Sequence, residues 1–351
     1  MSKHLFGLVV TPYGTAANNR GENEGNITTL QKILWNGEMH TTVSAESIRW
    51  ALRYFWQRKG IAVNRVWNDE TSDHEWRDQM WLPWTDPDGS GRGKESYVDD
   101  DVLGFMLAEA ADSDGSDTSD GLGKEKAELD KQYKTLSKDD QKTDAGKELR
   151  KKIKEFDDKI KLLKKGTCDK RRGALEVSRA ISLTPFAGDI TFNAKSGTKT
   201  NTSLYGTEVH ATRYQYGIAL TPESLRVSGR SLDVVDAVTS LSEVAGNHSR
   251  FLYDFSPEAV IYRWTDDFAP RMLYGFSSAD NQPLMIPEIL GRIKHGDIDA
   301  SELVVGATTP NTLDPEVVGK LEELKVKVLG VKAAAEEVKR RMRADLKLAT
   351  S

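Results

Sequence analysis

Apolar positions along the chain fall into short blocks with two different rhythms. Leu5 to Val10 is a continuous apolar run, cut off by Thr11, Pro12 and Tyr13, and predicts a first strand entering a turn. Asn18 to Asn26 is rich in Asn and Gly and predicts a loop. A helical period follows. Ile48, Leu52, Phe55 and Trp56 share one face, and Arg49, Arg53 and Gln57 share another. Thr42 or Ser44 caps this helix, Glu46 sits in its first turn, and Gly60 stops it.

The pattern then loosens. The stretch from about Asn68 to Gly173 reads as a large insertion: a Trp- and turn-rich opening, a short helix around Val98 to Ala110, and the segment DSDGSDTSDGLG as a linker. Leu129, Tyr133 and Leu136, then Leu149, Ile153, Phe156, Ile160 and Leu163, predict two charged helices, either a projecting hairpin or a lid. From Ala174 onward β-branched and aromatic residues alternate in part, in ALEVSRAISLTPF, EVHATRYQYGIALT and AVIYRWT, with RMLYGFS as one more strand candidate. DITFNAKSGTKTNTSLYG between the first two predicts a strand leading into an exposed loop, and SLDVVDAVTSLSEVAG predicts a covering helix. Asp314 and Pro315 open a long charged helix toward Leu348, with a break near Gly330. Strands and helices without regular βα spacing predict an α+β fold.

Composition adds limits. The 351 residues are 38% hydrophobic and 29% charged, with no apolar run long enough to span a bilayer and no signal-type apolar region at the start. One cysteine, Cys168, excludes an intrachain disulfide and fits a reducing, cytoplasmic setting. The net charge of −5 is unfavourable for a nucleic-acid binder, but its distribution is uneven. Glu95 to Asp120 holds nine acidic residues and no Lys or Arg, whereas Leu122 to Lys165 holds fifteen basic against ten acidic. Clustering therefore matters more than the sum.

Catalytic signatures are missing. There is no phosphate-binding GxxxxGK[ST] loop, no HExxH zinc helix and no GxSxG elbow, and the six histidines are scattered. DSDGSDTSD lacks the twelfth-position Glu of a calcium loop. No catalytic residue, metal or cofactor is expected. Three features point to a polyanion instead, each with a plainer reading. NNRG (Asn18, Asn19, Arg20) is a backbone-donor loop or a simple turn. Arg49 and Arg53 are a phosphate-gripping pair or a solvated helix face. The basic loops holding Arg171 and Arg172, and Lys195 and Lys199, suit closure over a strand, with Phe192, Tyr205 and Tyr214 as stacking surfaces or as core.

The blocks NNRGENEGNITTLQKI, HTTVSAESIRWALRYFW, VSRAISLTPFAGDITFNAKSG and AGNHSRFLYDFSPEAVIYRW resemble the backbone subunit of type I CRISPR interference (Cascade) complexes, and most closely the DevR branch of type I-B systems, within the RAMP superfamily. The resemblance covers about half the chain. It implies a modified RRM, ferredoxin-like palm with an inserted finger-like helical region and a thumb loop. The corresponding division is palm 1–67, finger-like insertion 68–173, palm 174–295 with the thumb near 193–208, and a C-terminal helical region 296–351. It also implies a non-catalytic subunit that polymerises head to tail on a guide CRISPR RNA. Its partners would be the target DNA strand, reached through the guide, and the other Cascade subunits, with no membrane. Carried onto these positions, it makes Asn18, Asn19, Arg20, Arg49, Arg53, Lys195, Lys199, Arg213, His248 and Arg250 guide-contact candidates, beside Arg171 and Arg172 from the basic loop. Two other readings remain open: an RNA-cleaving relative, with Asp189 as its nearest acid, and an interaction protein without RNA. The resemblance does not separate a defence complex from a transposon-directing one.

Overall fold

The LFGLVV run is continuous because its strand is covered on both sides. A computed structural model of the chain describes residues 2–17, 20–77, 97–108, 116–136, 143, 146–154, 168–194, 204–244, 252–279 and 281–348. In it, all seven residues of the strand His4–Val10 are buried. Leu5 and Val9 join one hydrophobic cluster, while Phe6, Leu8 and Val10 join a second. A strand buried on both faces has no polar side to alternate with. Gly7 sits where a Cβ would come within 2.7 Å of Ile218, so the neighbouring strand closes over it.

By its internal packing the chain divides into two units, residues 1–103 with 173–351, and residues 104–172. The first is built on a nine-stranded sheet. Across it run Val328–Leu329, Leu303–Ala307, Ala259–Thr265, His4–Val10, Tyr214–Leu220, Ala180–Ser182, Glu38–Val43 and Lys32–Trp35, and Leu175–Val177 also pairs with Tyr214–Leu220. His4–Val10 is antiparallel to both of its neighbours. Tyr214–Leu220 is likewise antiparallel to Leu175–Val177 and Ala180–Ser182. One face is covered by the helices Ala45–Arg58, Arg230–Thr239 and Val331–Leu346 through Ile48, Leu52, Trp56, Val234, Val238 and Val338. The other is covered by Pro287–Lys294, Pro315–Glu323 and the segment around Met272 and Phe276, through Ile289, Val317 and Leu321.

Several local expectations hold for physical reasons visible in the sequence. The Ala45–Arg58 helix starts at Ser44, whose hydroxyl accepts from the Ser47 N–H, and Gly60 follows its end with φ +75. Asp314 caps Pro315–Glu323 by accepting from the Glu316 N–H at 2.8 Å. Other expectations are corrected. The Asn- and Gly-rich stretch after residue 19 is a hairpin, Arg20–Glu24 with Ile27–Leu30, turning at Gly25 with φ +63. RMLYGFS is not a strand: Arg271 and Tyr274 take left-handed backbone, and only Ser277 bridges, to Met285. The C-terminal helix is two helices, with the strand Val328–Leu329 between them, and the 231–246 helix ends at Thr239.

The second unit contains an antiparallel strand pair, Gly104–Ala108 with Cys168–Arg172, a helix Ser116–Thr135 and a further helix at 146–154. Two expectations change here. The short helix expected to reach Ala110 stops at Leu103 and gives way to a strand. The second half of the expected linker, from Ser116, is helical.

Candidate nucleic-acid interface

The Ala45–Arg58 helix positions the first two candidate cations, and it treats them differently. Arg49 is half exposed, its guanidinium 3.6 Å from the partly exposed carboxylate of Glu176. Arg53, one turn on, is buried, and its Nε donates to Asp99 Oδ2 at 3.2 Å. Burial and the nearby Arg65 guanidinium draw its pKa down to about 10, against the pull of Asp99. The expected pair of open guanidiniums is therefore one open and one internal. A buried charge must be compensated, and Asp99, 46 residues away in sequence, does this for Arg53.

Asp99 belongs to a feature that the sequence reading missed. The six-residue helix Val98–Leu103 carries three consecutive buried aspartates. Asp99 also accepts the backbone N–H groups of Asn64 and Arg65, at 2.7 and 3.1 Å. Asp100 accepts from Asn64 Nδ2 at 2.8 Å. Burial and the adjacent Asp99 carboxylate push the Asp100 carboxyl up. Asp101 accepts from Arg226 N, Val227 N and Arg230 Nη1 at 2.8, 3.1 and 2.8 Å. The helix is thus tied to the Asn64–Arg65 segment, to Arg53 and to the start of Arg230–Thr239. A run of three acids beside apolar residues was the available signal, and it was read only as part of an acidic stretch.

Arg213 is internal as well. It is buried, and it grips Glu258 through two bonds, Nε to Oε2 at 2.6 Å and Nη2 to Oε1 at 3.3 Å. It further donates to Gln282 O and Asn281 Oδ1 at 3.1 and 3.2 Å. This bidentate geometry fixes the guanidinium in place and leaves it no free edge for a phosphate. Tyr214 is core, with its hydroxyl 2.8 Å from Thr41 Oγ1. His210 shares that Thr41 hydroxyl at 2.7 Å, and burial, with His40 nearby, lowers its pKa to about 4. Thr41, His210 and Tyr214 thus form a neutral buried network.

A separate four-stranded sheet carries the position of Arg20 and the strand ends that flank 195–203. Its order is Ile190–Ala194, Leu204–Glu208, Ile27–Leu30, Arg20–Glu24. Ala194 faces Leu204, Gly206 faces Ile27, and Arg20 faces Leu30. Asn26 Nδ2 donates to Leu204 O at 3.1 Å, so the strand ends flanking 195–203 lie beside the Gly25 turn. Arg20 is at the other end, with Leu30 and Glu208. The topology thus places the flanks of Lys195 and Lys199 and the strand position of Arg20 at opposite ends of one sheet. Ile190, Phe192 and Leu204 expose an apolar stripe on one face, with Phe192 69% accessible. Glu208 holds the Arg20 end by accepting the Leu30 N–H and the Lys32 Nζ, each at 2.7 Å.

In the 104–172 unit, Arg172 is exposed and Arg171 half-buried on the strand Cys168–Arg172. Asn18, Asn19, Lys195, Lys199, His248 and Arg250 lie outside the described residues. Asp189 is exposed at a turn next to Gly188 (φ +89), and its backbone carbonyl accepts from Val209. Among the described residues, no group of three His, Cys, Asp or Glu side chains is placed to hold a metal ion. No helix is long and apolar enough to cross a membrane, again among the described residues.

No family model matches the chain. A protein of Myxococcus xanthus (strain DK1622), "CRISPR-associated protein Cas7/Cst2/DevR", is 44% identical over 326 residues, 90% of each chain. The chain belongs to the Cas7/Cst2/DevR family of CRISPR-associated proteins. Two solved structures are similar over nearly the whole length at low identity. One is a chain of a "CRISPR RNA-guided surveillance complex, pre-nicking", 10% identical, covering 95% of this chain and 99% of that one, with a TM-score of 0.49. The other is from a "CRISPR RNA-guided surveillance complex", 13% identical, covering 96% and 100%, with a TM-score of 0.47.

Proposed function

We propose that this chain is a guide-RNA-binding backbone subunit of a type I-B Cascade complex, that it holds the guide by its phosphates without catalysing a reaction, and that several copies share one guide. The observation that carries the reading is the 44% identity over 90% of both chains to a Cas7/Cst2/DevR protein. The target DNA strand is then met through base pairing to the guide, and the other Cascade subunits are further partners.

The sheet supports a palm of the ferredoxin-like kind. Taking His4–Val10, Ala45–Arg58, the pair Leu175–Val177 and Ala180–Ser182 as one interrupted strand, Tyr214–Leu220, Arg230–Thr239 and Ala259–Thr265 in sequence gives strand, helix, strand, strand, helix, strand. The four strands lie in spatial order 4-1-3-2, antiparallel at each pairing. Both faces of that sheet are packed, which favours RNA at loops and sheet ends over bases stacked on the sheet. We assign the 190–208 hairpin and its tip to the thumb, and the 104–172 unit to the finger-like region. Guide contacts then fall to Asn18, Asn19, Arg20, Arg49, Arg171, Arg172, Lys195, Lys199, His248 and Arg250. Arg53 and Arg213 act from inside, as supports.

Titrating labelled guide RNA and an unrelated RNA of equal length, across a salt series, tests this. The two RNAs are expected to bind with similar affinity. The logarithm of affinity should fall with log salt by about 0.7 per phosphate engaged. No salt dependence, or no RNA binding, overturns the reading. Complementary RNA incubated with the assembled protein and magnesium should stay intact; cleavage lost in Asp189→Ala would replace the non-catalytic reading with a catalytic one.

A further inference from the structure

The nine-stranded sheet ends in two unlike edges, and each carries an apolar feature that the packing leaves uncovered. At one edge is the hairpin Lys32–Trp35 with Glu38–Val43, closed by Asn36 and Gly37, both with positive φ (51 and 86). Leu34 and Met39 face each other directly across this hairpin, 70% and 45% exposed. Single exposed apolar residues are ordinary on a protein surface. A directly paired Leu and Met at the tip of an edge hairpin is a compact knob, on an edge where proteins usually place charge. Glu38, next to Met39, is also exposed.

At the opposite edge, beside Val328–Leu329, lies a groove of about 770 Å³. Val318, Val326 and Val328 contribute to its walls, and Lys325, Lys327 and Glu322 stand on it, all exposed. The groove thus offers apolar walls with a net positive charge, and the knob offers apolar side chains with a negative one. Such complementarity selects partner and orientation. Because knob and groove sit on opposite edges of one sheet, a contact between them cannot be two-fold. It is heterologous, and repeating it gives a ring if the rotation closes and an open series if it does not, rather than a closed pair.

We propose that the Leu34–Met39 knob of one copy seats in the Val318–Val328 groove of the next, so that copies join edge to edge in head-to-tail order. This rests on the reading above that several copies share one guide, and it names the surfaces they use.

The test uses the full chain loaded on guide RNA. In a Cys168→Ser background, Met39→Cys and Lys327→Cys are combined and treated with a short bis-maleimide. A ladder of trimers and longer species is expected from the double variant, and nothing beyond dimers from either single variant. A second variant, Leu34→Asp with Met39→Asp, changes only exposed positions. It should bind a short RNA that holds one copy as the parent does, yet load a long RNA about tenfold more weakly. If the parent loads in several copies while the double cysteine variant gives no ladder, or the aspartate variant loads normally, this contact is wrong and the shared-guide reading stands. If the parent never loads more than one copy, the shared-guide reading fails and takes this contact with it.

Discussion

At the scale of single residues, cation and carboxylate burial separates support from contact. Arg53 and Arg213 are enclosed with carboxylates, whereas Arg49 makes a long, partly exposed pairing with Glu176. Losing one partner of a buried pair leaves the other charge uncompensated. Asp99→Ala should therefore destabilise the chain by about 3–5 kcal/mol, measured by denaturant unfolding. Arg49→Ala should cost no more than about 1 kcal/mol in stability, and weaken guide binding with a smaller salt slope. Equal loss of stability in both variants would contradict this division. Protonation adds a second check. His210 is held near pKa 4 in the fold against an ordinary 6.5. Between those values the unfolded chain takes up a proton that the native chain refuses, so this contribution is full above pH 6.5 and fades as pH falls toward 4. Its size is at most about 3 kcal/mol. A His210→Gln variant should show a shallower fall in stability over that window; an unchanged slope would remove His210 from the account.

At the scale of elements, what could be read from sequence was what local physics decides. Ser44 and Asp314 cap the helices they precede, and the LFGLVV and AVIYRWT runs are strands. Replacing the Ser44 cap by Ala should cost about 1 kcal/mol, read as a shift in the unfolding midpoint at constant m-value. The misses share a different cause. Arg20–Glu24 contains no apolar residue, and it is a strand because Ile27–Leu30 pairs with it. Val328–Leu329 is two residues long and exists by docking on Leu303–Ala307. Leu303–Ala307 lies outside a local window, and Arg20–Glu24, though next to its partner, has no apolar alternation to announce it. The same holds at the candidate interface: the spacing of Arg49 and Arg53 put both on one helix face, but only a distant Asp99 decides that one is internal. Helix faces are legible in sequence, whereas what packs against them is not.

At the scale of the whole molecule, the proposed function is one in which copies of a Cas7/Cst2/DevR family protein act in series on one guide. On that proposal the net charge of −5 is no obstacle, since each copy would need only a few phosphates and the rest of its surface could stay acidic. The central claim is that copies share one guide, and it is tested most directly by weighing complexes of the purified chain on guide RNAs of increasing length by native mass spectrometry. The account predicts that the number of bound copies rises in whole steps as the RNA lengthens, at a constant number of nucleotides per added copy. A single copy at every length, or no complex at all, would contradict it.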